Sequence, residues 1–273
     1  KAAAYYYVPG AFVALPAYEW TGNSATHEGG PFGHVNPLYF GETGELDVYT
    51  PCDPDCGGSS LQRLWQSHAG QPVLTVPHHV ADYTHRFYWA FHDEAFTPVV
   101  ELFQDFRGSG EQPGVAGVTN TPKREDGQWL LQQLLGGRRY GFIGGADHGG
   151  VSLAGLWVTE LTRTALLQAL RECRCFATSG VGCAVELVCN GQPMGGEVAA
   201  EDAELMLLVA AAEPIERAEI VRDGDTEDIV RAKPGQTQME HRWQVHRRRD
   251  GEFWYARVVF ADGEMAWTSP IWL

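Results

Sequence analysis

Short apolar runs alternate with helical stretches through the first part of the chain. Residues 72–76, 98–103 and 140–144 are apolar segments of strand length, each bounded by turn residues. Residues 128–135 and 160–174 instead place apolar side chains at helical spacing. This alternation is typical of βα units around a parallel sheet or barrel. The fold expected for this part of the chain is therefore α/β.

Beyond residue 180 the pattern changes to strands separated by tight turns. Five segments have the length and composition of β-strands, namely 183–189, 204–211, 218–222, 238–246 and 252–260. Asn-Gly and Asp-Gly pairs, which favour two-residue hairpin turns, lie between or beyond them. The pattern predicts an antiparallel β-sandwich. The chain is thus expected to form two domains, residues 1–180 and residues 181–273.

Composition narrows the classes of function. The chain has 273 residues, of which 44% are hydrophobic and 20% charged, as in ordinary globular proteins. Its net charge of −15 repels polyanions, so nucleic acid is not an expected partner. The longest apolar run, residues 205–212, is much shorter than the ~20 residues of a membrane span. A small phosphorylated substrate would need local positive charge, which bound metal ions would supply.

Candidate metal ligands are concentrated in the first 148 residues, which contain eight of the ten histidines. Several of these histidines, together with acidic side chains, follow or end apolar runs: Glu19, His34, His78, His79, Asp147 and His148. A barrel of parallel strands places its active site at such strand ends. Imidazole nitrogen combined with carboxylate oxygen suits zinc, manganese or iron. The pattern therefore predicts a site for divalent metal ions.

Seven short motifs resemble, in their order, those of the PHP (polymerase and histidinol phosphatase) superfamily. They are YEWT at 18–21, GHVN at 33–36, PHH at 77–79, ELF at 101–103, GFIGGADH at 141–148, LTR at 161–163 and ATSG at 177–180. The resemblance is to a branch with a C-terminal β-domain whose chains end as residues 266–272 do. It implies a distorted seven-stranded α/β barrel that holds up to three divalent metals and hydrolyses phosphate esters.

The resemblance also implies roles for the candidate ligands. Glu19 matches the bridging carboxylate, His34 and the pair His78 and His79 match the imidazoles of one metal site, and Asp147 matches the late aspartate of another. His148 would serve the remaining metal. The resemblance favours His79 over His78, and both stay candidates. Glu19 and Asp147 are the residues expected to carry catalysis.

The chain departs from the family in two respects. The opening HxH motif and the Asp-His motif that follows it are absent. Because the first residue is Lys1 and not Met, the expected explanation is an N-terminally truncated barrel. We therefore expect this chain, expressed alone, to bind metal poorly and to have little activity. In addition, Asp147 and His148 are adjacent, whereas the family spaces these ligands as Asp-x-His.

The expected reaction is hydrolysis of a phosphate ester by a metal-activated water. Arg107, Lys123 and Arg124 follow an apolar run and are candidates for binding the phosphate. The alternative interpretation, which motif statistics favour, is that they are solvated surface charges. Two alternatives stay open. One is metal-dependent hydrolysis of a non-phosphate bond such as an amide. The other is a non-catalytic module, on a degenerate barrel, that binds a glycan or a protein. The sequence indicates neither the oligomeric state nor the compartment.

Overall fold

The computed structural model describes residues 2–22, 33–41, 61–78, 80–82, 87, 89–90, 92–105, 107–115 and 127–273. The helices within these ranges are α1 (Ala2–Tyr6), α2 (Leu61–Ser67), α3 (Leu130–Leu135) and α4 (Arg163–Arg171). None of them is long and apolar enough to cross a bilayer. The strands up to residue 180 are β1 (Trp20–Thr21), β2 (His34–Tyr39), β3 (Val73–His78), β4 (Val99–Gln104), β5 (Gly108–Ser109), β6 (Gly141–Gly145), β7 (Leu153–Leu156) and β8 (Cys175–Thr178). The later strands are β9 (Cys183–Cys189), β10 (Gln192–Pro193), β11 (Asp202–Ala211), β12 (Ile215–Arg222), β13 (Asp225–Arg231), β14 (Gln238–His246), β15 (Phe253–Phe260), β16 (Met265–Thr268) and β17 (Ile271–Trp272).

The predicted α/β barrel of seven βα units is wrong. Strands make up 43% of the described residues and helices only 12%. The strands form four sheets, with the orders β1-β2-β3, β5-β4-β6, β10-β9-β11-β14 and β13-β12-β15-β16-β8-β7, and β17 pairs with β15. Within the described part of the chain, β4 and β6 are the one parallel pair. The sheets of the described residues are therefore mostly antiparallel.

The physical reason for the error lies in the apolar runs. Every residue of β3 and β4 is buried, as in the strands of a parallel sheet. However, β3 pairs antiparallel with β2. A strand is buried in this way when both of its faces are covered. On β4, for example, Val99 packs in one hydrophobic cluster and Val100 packs in another. A continuous apolar run indicates that a strand is buried on both faces. It does not indicate whether the strand is parallel or antiparallel to its neighbours.

Strands from both sides of residue 180 share the seven-stranded sheet. β8 pairs antiparallel with β16 and also with β7. This sheet packs against the β10-β9-β11-β14 sheet through a core that includes Val185, Leu205 and Val258. The hairpin between β9 and β10 turns at Asn190 and Gly191, whose φ values of 48° and 85° are those that a type I′ turn requires. The division into domains 1–180 and 181–273 stays a prediction.

Arg163 ties the N-terminal segment to α4. The side chain is fully buried at the first position of the helix. Its guanidinium donates hydrogen bonds to three backbone carbonyl oxygens, those of Ala3, Ala14 and Gly41, and lies 4.2 Å from the centre of the Tyr7 ring. These contacts satisfy a buried charge with backbone oxygens, and so they fix the segment that leads into β1.

A second buried charge joins the loop after β5 to the seven-stranded sheet. Arg257 on β15 donates through Nε to Glu111 at 2.9 Å and through Nη1 to Glu219 at 3.1 Å. Trp267 donates to the other oxygen of Glu111 at 2.8 Å, and the Tyr255 hydroxyl donates to the same carboxylate. Burial by itself lowers the pKa of Arg257, but the negative charge of Glu111 and the hydrogen bonds to Glu111 and Glu219, together with Tyr255, outweigh burial. The pKa is therefore raised and the guanidinium stays charged.

Replacing Arg257 with Met tests this network. The change leaves Glu111 buried without its main counter-ion, which should lower the free energy of unfolding by about 3–5 kcal/mol, as measured by urea denaturation. The matched control is Arg242→Met, because Arg242 lies on β14 in exposed ion pairs with Glu204 and Glu240. This control should leave stability almost unchanged. Equal losses in the two variants would contradict a special role for the buried network.

Candidate functional site

Antiparallel pairing brings three of the predicted residues to one end of the β1-β2-β3 sheet. His34, the first residue of β2, is paired with His78, the last residue of β3. The other neighbour of His34 is Thr21 on β1. Glu19 comes two residues earlier, and its carboxylate contacts Nδ1 of His34. The register of the sheet thus gathers two imidazoles and one carboxylate.

His78 connects this group to the sheet of β4 and β6. Its Nδ1 lies 2.8 Å from Oε2 of Glu101 on β4, and its Nε2 lies 3.8 Å from Oδ2 of Asp147. Asp147 is in the turn after β6, where its φ of 48° is one that Asp adopts more readily than most residues. Because β4 and β6 are parallel, their carboxyl ends lie at the same edge. An ionised carboxylate only accepts, so Nδ1 of His78 is the donor to Glu101.

The charges of this cluster act on the pKa of His78. Burial lowers it, but the hydrogen bond to Glu101 and the negative charges of Glu101, Asp147 and Glu19 together outweigh burial. The pKa is therefore raised above the ordinary 6.5. The contribution of Glu19 indicates that the Glu19–His34 pair and the His78–Glu101 pair share one electrostatic environment.

Asp147 is held by two further side chains. Nη1 of Arg107 lies 3.1 Å from its Oδ2, and Nε2 of Gln104 donates to the same oxygen. Arg107 also donates through Nε to the carboxylate of Asp82. The second oxygen of Asp147, Oδ1, lies 3.2 Å from Nε2 of His148, a side chain that is 86% exposed. Asp147 therefore has one oxygen in the buried network and one near the surface.

Negative charge predominates among the described side chains of the cluster. Glu19, Asp82, Glu101 and Asp147 are four carboxylates, and three of them are nearly fully buried. Arg107 offsets one of these charges, and His78 offsets a second one when it is protonated. Buried carboxylates are costly unless a cation or hydrogen-bond donors compensate them. A surplus of this kind favours binding of a further cation.

The structure thus brings Glu19, His34, His78 and Asp147 together, with His148 at the rim. Their catalytic and metal-binding roles stay predictions. His79, Lys123 and Arg124 lie outside the described residues, so the choice between His78 and His79 stays open. Arg107 is in the cluster, where it contacts the carboxylates of Asp82 and Asp147 and the amide oxygen of Gln104.

Sequence reasoning did not single out Glu101, Gln104 and Asp82 as site residues. A signal for two of them was present, because Glu101 and Gln104 are polar residues in the buried strand β4. A carboxylate inside an apolar run needs a partner, and that partner is normally a charged or donor group. Asp82 carries no such signal, since it lies outside the named strands and contacts Arg107, which is distant in the sequence.

The donor set has the chemistry of a site for a divalent cation. Imidazole nitrogens and carboxylate oxygens suit zinc, manganese and iron. His78 donates through Nδ1 to a carboxylate and directs Nε2 towards Asp147, which is the usual arrangement of a histidine that ligates a metal. Within the described part of the chain, no group of three His, Cys, Asp or Glu side chains is arranged so that it could hold a metal ion. The side chains instead pair with one another, and a bound cation would replace some of these pairings.

Comparison with known proteins gives distant relatives. No model of a protein family matches the chain, and no solved structure matches it. An uncharacterised protein of Chlamydia pneumoniae is 23% identical over 251 residues, which are 78% of this chain and 40% of the relative. Uncharacterised proteins of Chlamydia muridarum and Chlamydia trachomatis are 24% and 25% identical over 80% of the chain and 41% of each relative. The chain therefore spans about 40% of the length of these relatives, and their descriptions state no activity.

Gly145 at the end of β6 allows a test of the His78–Glu101 hydrogen bond. A Cβ at this position would occupy the space of the Glu101 carboxylate. Gly145→Ala should displace that carboxylate, and the loss of its hydrogen bond should lower the pKa of His78. An NMR titration of the imidazole in metal-free protein measures this change.

The matched control is Gly182→Ala, because a Cβ at position 182 meets no atom within 4 Å. This variant should leave the pKa of His78 unchanged. An unchanged pKa in Gly145→Ala as well would contradict the proposed packing of Glu101.

Proposed function

We propose that this protein is a metal-dependent hydrolase that uses a metal-activated water, with phosphate esters as its substrate class. One observation carries the proposal. Glu19, His34, His78 and Asp147 are spread over 129 residues of chain, counted from 19 to 147, and they meet in one cluster. Imidazole and carboxylate side chains in a buried cluster, with the Glu101 carboxylate bonded to Nδ1 of His78, support a cation-binding role for the cluster over a purely structural one.

Glu19, His34, His78 and Asp147 would hold the metal, with His148 and His79 as further candidates. Zinc, manganese and iron are the ions that this donor set favours. A bound ion would lower the pKa of its water and neutralise charge on a phosphoryl group. Glu19 is the residue for which we propose a bridging role, as the PHP resemblance implies.

The remaining residues of the cluster prepare the ligands. Glu101 holds His78 through Nδ1 and leaves Nε2 directed towards Asp147. Gln104 and Arg107 restrict Asp147 through Oδ2, which leaves Oδ1 near the surface. Ligands held in this way lose little side-chain freedom when a cation binds.

The charge of the chain bears on the substrate. A net charge of −15 disfavours long polyanions such as nucleic acids. A small phosphate monoester or diester carries few charges, and the bound metals would offset them. The substrate proposed here is therefore a small phosphorylated molecule.

The test combines metal analysis with turnover in the protein as its gene encodes it. Purified protein should contain zinc, manganese or iron and should release nitrophenol from p-nitrophenyl phosphate or its diester. A chelator should abolish turnover, and the metal should restore it. Glu19→Gln and Asp147→Asn should each lower kcat/KM at least about 100-fold, since even residues behind a metal ligand matter by 10–100-fold.

Asp202→Asn is the control, because Asp202 forms an exposed pair with His246, 2.9 Å away, in the C-terminal part of the chain. It should leave metal content and rate unchanged. Retention of both in Glu19→Gln and Asp147→Asn would refute the metal site. Turnover of a nitroanilide without release of phosphate from any ester would replace the phosphoesterase proposal with an amidase.

A further inference from the structure

Arg107 lies between two buried carboxylates. Asp82 is 6% exposed and Asp147 is 8% exposed, while the arginine side chain itself is 20% exposed. The guanidinium donates through Nε to Asp82, and its Nη1 lies 3.1 Å from Asp147. The positive charge of Arg107 is thus shared by two carboxylates from different segments of the chain.

The two carboxylates differ in what else they contact. Oδ2 of Asp147 accepts from Gln104 as well as from Arg107. The same Arg107 nitrogen is 3.4 Å from Oε1 of Gln104. Oδ1 of Asp147 is the oxygen near the exposed His148. A cation that approaches Oδ1 of Asp147 from the solvent would therefore bind a carboxylate whose negative charge Arg107 already offsets in part.

We propose that Arg107 is an internal counter-ion that competes with a divalent cation for Asp147, and that Asp82 limits this competition by holding the guanidinium. The proposal rests on the proposed function, since it assumes that Asp147 is a metal ligand. It makes Arg107 and Asp82 regulators of metal affinity and not metal ligands.

Elementary electrostatics gives the two residues effects of opposite sign. A positive charge 3.1 Å from Asp147 weakens the attraction of that carboxylate for another cation. Removing Arg107 should therefore strengthen cation binding. Removing the charge of Asp82 leaves more of the guanidinium charge to offset Asp147, which should weaken cation binding. A merely structural network predicts weaker binding in both cases, because both changes would loosen Asp147.

The experiment is a calorimetric titration of Mn²⁺ into metal-free protein, with thermal unfolding of each variant as a check on folding. We expect Arg107→Gln to lower the Kd for Mn²⁺ about tenfold and Asp82→Asn to raise it about tenfold, within the usual range for coupling between two ligands. Arg242→Gln, at an exposed ion pair on β14, is the control and should leave the Kd unchanged.

The double variant Arg107→Gln, Asp82→Asn removes both charges of the pair and should also bind Mn²⁺ more tightly than the unsubstituted protein. It serves as the test if Arg107→Gln alone fails to fold, because it removes the charge of Asp82 together with that of the guanidinium. Weaker binding in both single variants, or in Asp82→Asn and the double variant, would overturn the counter-ion proposal. Absence of Mn²⁺, Zn²⁺ and Fe²⁺ binding by the unsubstituted protein would instead overturn the proposed function, and the counter-ion proposal with it.

Discussion

The hydrogen bond between His78 and Glu101 is the contact on which the arrangement of the cluster depends. It joins β3 to β4, strands that belong to different sheets. Each side chain is 5% exposed, so each needs a hydrogen-bond partner in the interior. The same contact therefore links two sheets and pairs an imidazole with a carboxylate where the sheets meet. Glu19 and His34 extend the cluster from one sheet, and the turn that carries Asp147 extends it from the other.

Backbone space is as important here as charge. Glu101 can reach His78 because residue 145, on the neighbouring parallel strand, has no side chain. Asp147 follows two residues later in a turn of positive φ, and Gly149 with a φ of 111° continues that turn. The glycines around β6 thus have separate uses, since one leaves room for a carboxylate and another permits the path of the chain. Glycine-rich sequence near a polar cluster is explained here by close packing within the protein itself.

The sequence indicated that candidate polar residues lie near strand ends, but it did not indicate the fold that brings them together. His34, His78 and Asp147 stand at or just beyond strand ends, and a polar residue that interrupts a buried strand is visible as a pattern. The direction of a strand gives no such pattern in the sequence. The residues of β3 are all buried, although its neighbour β2 is antiparallel to it. The partners of Arg107 were also beyond reach, since Asp82 and Asp147 lie 25 and 40 residues from it. Ion pairs between residues far apart in the sequence depend on the fold, so the local spacing of charged residues does not predict them.

The buried contact between Glu111 and Arg257 has a consequence for cooperativity. It links residues 146 positions apart, and it lies beside a sheet in which β8 is hydrogen-bonded to β16. If the segment that carries Glu111 or the sheet that carries Arg257 unfolded alone, the other residue would lose its buried charged partner. Partly unfolded states therefore have a high free energy. Calorimetry should accordingly record one transition with matching van't Hoff and calorimetric enthalpies. Amide protons of β15 should exchange with solvent only through global opening of the molecule.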